Sequence, residues 1–150
     1  MTTTDAVVPG AVWSAALHAE VQQFYAYQMQ RLDLGEAEDW SLTFTEDAVF
    51  DVPTLAEPVR GRAGLVASVR RARAELAATG ERHRHFMGMA DVRPRADGTV
   101  GVRSYAIVYA SRPGGASRVH RVCVCEDVLV RGADGALRVR ARQVTRDDLP

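Results

Sequence analysis

From Ala11 to about Leu34 apolar residues return every three or four positions (Val12, Ala15, Ala16, Val21, Phe24, Tyr25, Met29, Leu32), which predicts an amphipathic helix. Gly35 supplies its stop. Glu36 to Phe44 reads as a second short helix containing Trp40, and Thr45-Glu46-Asp47 breaks it. Ala48 to Val52 reads as a short strand, followed by a loop bounded by Pro53 and Pro58. Gly61 to about Thr79 is a third helix, with Leu65, Val66, Val69, Ala72 and Leu76 on its apolar face and Gly80 at its end. Four strand-like runs complete the chain: 85–92, 99–111, 118–130 and 137–144. The first and third are followed by Asp97-Gly98 and Asp134-Gly135 turns, the second by Pro113-Gly114-Gly115.

The order is helix, helix, strand, helix, then four antiparallel strands. It predicts an α+β fold in which three N-terminal helices pack on a curved, mainly antiparallel sheet. A curved sheet capped by helices encloses a conical pocket suited to a small apolar ligand. Residues 1–10, small and polar and ending in Pro9-Gly10, are expected to be a loose tail, and 11–150 a single domain.

Composition narrows the partners. Formal net charge is zero, so neither nucleic acid nor an anionic membrane surface is the expected partner. No apolar run reaches the roughly 18 residues of a membrane span, and no basic leader precedes an apolar segment, so a cytoplasmic protein is expected. All 19 of the Lys and Arg positions are Arg, which excludes Schiff-base chemistry and covalent pyridoxal phosphate. The absence of Lys and Asn and the single Ile107 also point to a GC-rich genome. The two cysteines, Cys123 and Cys125, sit at i and i+2 of one strand, a poor disulfide geometry, and no Cys/His set has zinc spacing. No metal and no cofactor are expected.

The candidate chemistry rests on two residues far apart in sequence. Asp33 closes the first helix, where the dipole repels a carboxylate, so a specific partner is expected for it. His85 heads the first long strand, and a carboxylate that orients an imidazole makes a general acid or base. Alternation would put Met87 and Met89 on the face of His85, as adaptable walls for a flat ligand. His83 shares that parity nearer the loop. Gln28 and Tyr25 on the first helix, and Trp40 beyond it, are candidate substrate contacts. His120 and Glu126 share a strand face with Val122, Val124 and Val128. That face is expected to be buried, which makes Glu126 a second acid–base candidate. Arg142 on the last strand is a candidate for a substrate carboxylate or an enolate. Tyr105 and Tyr109 are expected to face outward, toward a second copy of the chain.

Local wording supports these assignments. The stretch Asp39-Trp40-Ser41-Leu42-Thr43-Phe44-Thr45-Glu46-Asp47-Ala48-Val49-Phe50-Asp51-Val52-Pro53 and the helix opening Gly61-Arg62-Ala63-Gly64 resemble the NTF2-like, or SnoaL-like, superfamily over about residues 12–147. The resemblance implies a cone-shaped α+β barrel; it is weak on the reaction, because the superfamily hosts many activities. A subgroup with scytalone dehydratase carries an Asp at the end of the first helix and a His at the head of the first long strand, as Asp33 and His85 stand here. His85-Phe86-Met87-Gly88 resembles that dehydratase's own segment. The resemblance implies that His85 moves the proton and Asp33 holds the ring. The dehydratase's two tyrosines correspond to Leu32 and Val52, and its second His falls near Ala110, so its electrophilic half is not kept.

SnoaL-like proteins include polyketide cyclases that work by acid–base chemistry without a cofactor. The expected function is therefore a cofactor-independent dehydratase or ring-closing cyclase on a polyketide-like aromatic intermediate, acting as a homodimer. The alternatives are a ligand-binding or oxygenase small-subunit-like partner module, and a ketosteroid-isomerase-like double-bond isomerase. The latter lacks its first-strand Asp at Val52.

Overall fold

The computed structural model describes residues 14–150, so the expected tail over residues 1–10 lies outside the described residues. Helix α1 (Ala15–Asp33) begins where the Ser14 hydroxyl accepts a hydrogen bond from the Leu17 amide at 3.1 Å. It stops at Gly35, whose φ is +72°. A Cβ there would also run into the Arg73 guanidinium, which donates to the Leu34 carbonyl at 2.5 Å.

Helix α2 (Ala37–Ser41) is shorter than expected, because the Thr43 hydroxyl donates to the Trp40 carbonyl at 2.6 Å and the chain turns into the sheet. Strand β1 (Phe44–Asp51) therefore starts earlier than expected. Thr45-Glu46-Asp47 does not break an element; it lies inside β1, where a register shift between Phe44 and Val49 absorbs it. Strand β2 (Val59–Arg60) is a two-residue edge pairing with β1 that the pattern did not announce. Helix α3 (Gly61–Thr79) has the expected bounds and ends on left-handed Gly80. Strands β3 (Arg82–Pro94), β4 (Val100–Ser111), β5 (Arg118–Arg131) and β6 (Leu137–Arg146) follow.

The six strands form one curved, unclosed sheet in the order β2-β1-β6-β5-β4-β3. The β1–β6 pair is parallel and the others are antiparallel. The main core lies between the helices and the inner sheet face, built on Val21, Trp40, Phe44, Leu65, Leu129 and Val139. Among the described residues no helix is long and apolar enough to cross a membrane.

Two departures from simple alternation decide which side chains reach the inner face. In β3 the register shifts between Gly88 and Asp91, and Met89 takes a φ of 54°. Met89 is thus turned out of the face of His85 and Met87 and is 80% exposed. In β5 the inner face carries Cys123, Cys125, Asp127 and Leu129, whereas Val122 and Glu126 are exposed. This is the reverse of the expected parity. A strand can turn valines outward because β-branched residues suit the pleated surface as well as the core.

Candidate active site

The last turn of α1 packs across the start of β3, and Asp33 meets His85 there. The Asp33 Oδ1 lies 2.7 Å from His85 Nδ1, and the His85 backbone amide donates to Asp33 Oδ2 at 3.1 Å. One carboxylate thus holds both the ring and the main chain of the histidine. With Nδ1 donating to the carboxylate, Nε2 carries the ring's lone pair. The Asp33 side chain is 7% exposed and that of His85 is 27%, so the imidazole is reachable and its partner is shielded.

Both residues line a cavity of about 850 Å³ between α3 and the end of the sheet. Val69, Ala72 and Leu76 of α3 and Val108 of β4 form its apolar walls. Arg73, Arg82, Arg112 and Arg121 also border it.

A second group of polar residues stands in the same cavity. His83 Nε2 lies 2.8 Å from Glu81 Oε1, while the other Glu81 oxygen accepts from Arg118 at 2.9 Å and faces Arg112 at 3.6 Å. The hydrogen bonds from Arg118 and His83 hold the Glu81 carboxyl down at about 2. The His120 ring packs on His83, with centroids 4.7 Å apart. Burial, then the Arg121 charge, lowers the His120 pKa, which favours the neutral imidazole. Donor atoms of Glu81, His83 and His120 lie within 4.8 Å of one another, a spacing that a divalent cation could bridge. Arg118 and Arg112 already supply positive charge to that carboxylate, so the cluster suits a hydrogen-bonded relay better than a cation.

The other expected contacts lie elsewhere. Gln28, Tyr25 and Arg142 do not border the cavity; they meet in the core. Arg142 donates to Asp127 from Nε and Nη2, both at 2.8 Å, and its Nη2 also donates to Gln28 Oε1 at 2.6 Å. The Tyr25 hydroxyl donates to Asp127 Oδ2 at 2.7 Å, and Gln28 Nε2 donates to Thr43 at 2.8 Å. Burial, then the Asp127 charge, pushes the Tyr25 phenol well up, so it stays neutral. Arg142 Nε and Nη2, the Tyr25 hydroxyl and both ends of the Gln28 amide are taken by these contacts, so those atoms are not free for a ligand. Trp40 is buried against Phe44 at 4.8 Å rather than capping the cavity. Met87 packs on the core. Glu126 is exposed, 3.8 Å from Arg103, and is not placed for acid–base work in the cavity. Asp51, the nearest residue to an isomerase-type base, lines a separate cleft with Asp91 and Arg93.

Two residues of these polar clusters escaped the sequence reading. Asp127 was hidden by the parity error in β5. Cysteine is among the most buried residue types, so Cys123 and Cys125 were the signal for its face. Glu81 stood in what reads as a loop, although it shares strand parity with His83 and His85. Ala110, where the resemblance placed a missing second histidine, pairs with His83 across the β3–β4 ladder.

Comparison with known proteins agrees with the fold. No curated protein sequence matches the chain. Among solved structures, ActVI-ORFA from Streptomyces coelicolor is 33% identical, with 91% of this chain and 99% of that one covered and a TM-score of 0.85. Aln2 from a Streptomyces species is 35% identical, with 91% and 95% covered and a TM-score of 0.83. A protein from Catenulispora acidiphila in complex with S-DNPA is 38% identical, with 90% and 96% covered and a TM-score of 0.78. The model of the SnoaL-like domain matches residues 13–143, and the chain belongs to the SnoaL-like domain family.

Proposed function

We propose that this protein is a cofactor-independent lyase or cyclase, a dehydratase or ring-closing cyclase, acting on a polyketide-like aromatic intermediate of secondary metabolism and working as a homodimer. The observation that carries this reading is the 2.7 Å contact between Asp33 and His85 beside an open cavity of about 850 Å³. The cavity size suits a polycyclic small molecule. Membership of a family that includes acid–base polyketide cyclases supports the reaction class, and the S-DNPA complex of a relative supports a small-molecule ligand.

His85 Nε2 removes a proton α to a carbonyl, and Asp33 fixes the tautomer and stabilises the imidazolium that forms. Loss of a β-oxygen then gives the enone. Ring closure onto an enone is the same step run backwards. The test is turnover of S-DNPA and, separately, of a panel of aromatic β-hydroxyketones by the wild-type chain and by His85→Ala. A fall of about 10²–10⁴-fold is expected. Undiminished turnover in a folded His85→Ala would remove the reading, and ligand binding without any turnover would point to a carrier.

A further inference from the structure

The reaction proposed above moves two protons, one at the α-carbon and one at the oxygen, and the Asp33–His85 pair accounts for one. His83 and His85 occupy alternate positions of β3 and line the same cavity. Alternate residues of a strand stand about 6.7 Å apart along it. That is the span of two hydrogen-bond reaches of about 3 Å set on either side of a pair of neighbouring reacting atoms. His83 has its own carboxylate, Glu81, as His85 has Asp33.

We propose that Glu81 and His83 form a second acid–base unit of this cavity, with His83 serving the substrate oxygen while His85 serves the α-carbon. The proposal rests on the acid–base reading of the preceding section and extends it. Glu81 and the packed His120 act as positioning residues.

In elimination, His85 takes the α-proton, and the C–H electron pair forms the double bond. The C–O bond breaks with its pair on oxygen, and the His83 imidazolium protonates that oxygen. Ring closure reverses each movement: the hydroxyl proton passes to His83 as the C–O bond forms, and the His85 imidazolium protonates the α-carbon. One proton has then moved between the two imidazoles, and exchange with solvent restores them. No oxidant or reductant is needed.

The charges around His83 fit this use. Glu81 lies beside it, and β5 presents His120, Arg118 and Arg121. Arg112 follows β4, and across the cavity stand Arg73 and Glu75 of α3 and Asp33 of α1. Arg118 keeps Glu81 a carboxylate throughout the working range, so it can support an imidazolium at His83. Burial, then the Arg121 charge, lowers the His120 pKa, which disfavours a second positive charge on the packed ring.

The experiment compares wild type, His83→Asn, Glu81→Gln and His85→Ala on S-DNPA and a panel of aromatic β-hydroxyketones. It follows kcat against pH together with deuterium uptake at the α-carbon, with circular dichroism and melting curves to establish folding. In the elimination direction, His83→Asn should lower kcat at least ~100-fold and erase the basic limb of the profile, while α-deuterium uptake continues. Glu81→Gln should lower kcat by less than His83→Asn does and leave α-deuterium uptake unchanged, because the ring stays but loses the carboxylate that orients it. His83→Asn leaves the Arg118 and Arg112 pairs intact, so it carries the test even if Glu81→Gln fails to fold. A His83→Asn enzyme with unchanged kcat and an intact basic limb, beside an inactive His85→Ala, overturns the second unit and spares the first. Activity surviving in His85→Ala overturns the acid–base reading itself. Activity lost to a chelator and restored by Zn²⁺ overturns the relay in favour of a metal, and wild type inert on every probe removes both.

Discussion

Asp33 accepts three contacts from one residue: from the His85 ring at 2.7 Å and from its amide at 3.1 and 3.4 Å. An amide in its place can satisfy the backbone, but its NH₂ competes for the ring nitrogen and favours the wrong tautomer. Asp33→Asn is therefore expected to fold with a near-normal melting temperature and lose about 10²-fold or more in kcat, with KM little changed. A variant that unfolds instead would show that the carboxylate is needed for docking α1 on β3. Burial raises the Cys123 thiol and pushes the Cys125 thiol up to about 12, and both side chains are buried. Neither is expected to react with an aromatic disulfide reagent in the native protein, and both should react after denaturation. Rapid native labelling would contradict the inward parity of β5. The residue scale also shows what the sequence could say about the site. A carboxylate at a helix C-terminus needs a partner, which singled out Asp33, and the family resemblance supplied His85 as that partner. Met89 was misplaced because alternation assumes an unbroken ladder, although Gly88 beside it was a recognisable bulge signal.

At the scale of elements, the Arg142–Asp127 pair joins β5 to β6, and through Tyr25 and Gln28 it reaches α1. The two charged side chains are 3% and 0% exposed. Removing one partner strands a buried charge, so Asp127→Ala is expected to cost about 3–5 kcal/mol in urea unfolding. Replacing both partners with apolar residues should cost less. Equal losses in the single and double variants would deny the coupling. Glu81 ties the start of β3 to β5 and to the turn before it. Its carboxyl ordinarily titrates near 4.5 and is held at about 2 in the fold. A depressed pKa contributes stability above the unfolded value, and that contribution fades as pH falls from about 4.5 toward 2. Melting temperatures of wild type and Glu81→Gln should therefore differ near pH 6 and converge toward pH 2. Parallel curves would show that the ion pairs contribute nothing. The elements themselves were readable where turns speak clearly: the strands flanking Asp97-Gly98 and Asp134-Gly135 fall within three residues of their expected ends. The region from Trp40 to Asp51 was less readable, because the α2-to-β1 corner is made by a side-chain hydrogen bond and a ring contact that no local pattern encodes.

Among the described residues of the whole molecule, one sheet face stands without cover. Phe86 is 64% exposed, and Tyr105, Tyr109, Val119 and Val122 stand out from the neighbouring strands. Register places Tyr105 beside Gly88 and Val124, and Tyr109 beside Arg84 and Val119, so these residues share one surface. A homodimer through this face is the expected state. Light scattering should give about twice the 16.4 kDa chain mass, and Tyr105→Arg should shift the particle toward the monomer. A monomeric wild type would leave the face to another partner.

The grip of Asp33 on both the ring and the main chain of His85 has a consequence for synthesis. The two residues are 52 positions apart, so the carboxylate leaves the ribosome long before its histidine. His120 and Arg121, on the far side of the cavity, arrive later still. A stalled or truncated product that ends before β5 can contain Asp33 and His85 but lacks the β5 side of the cavity beside them.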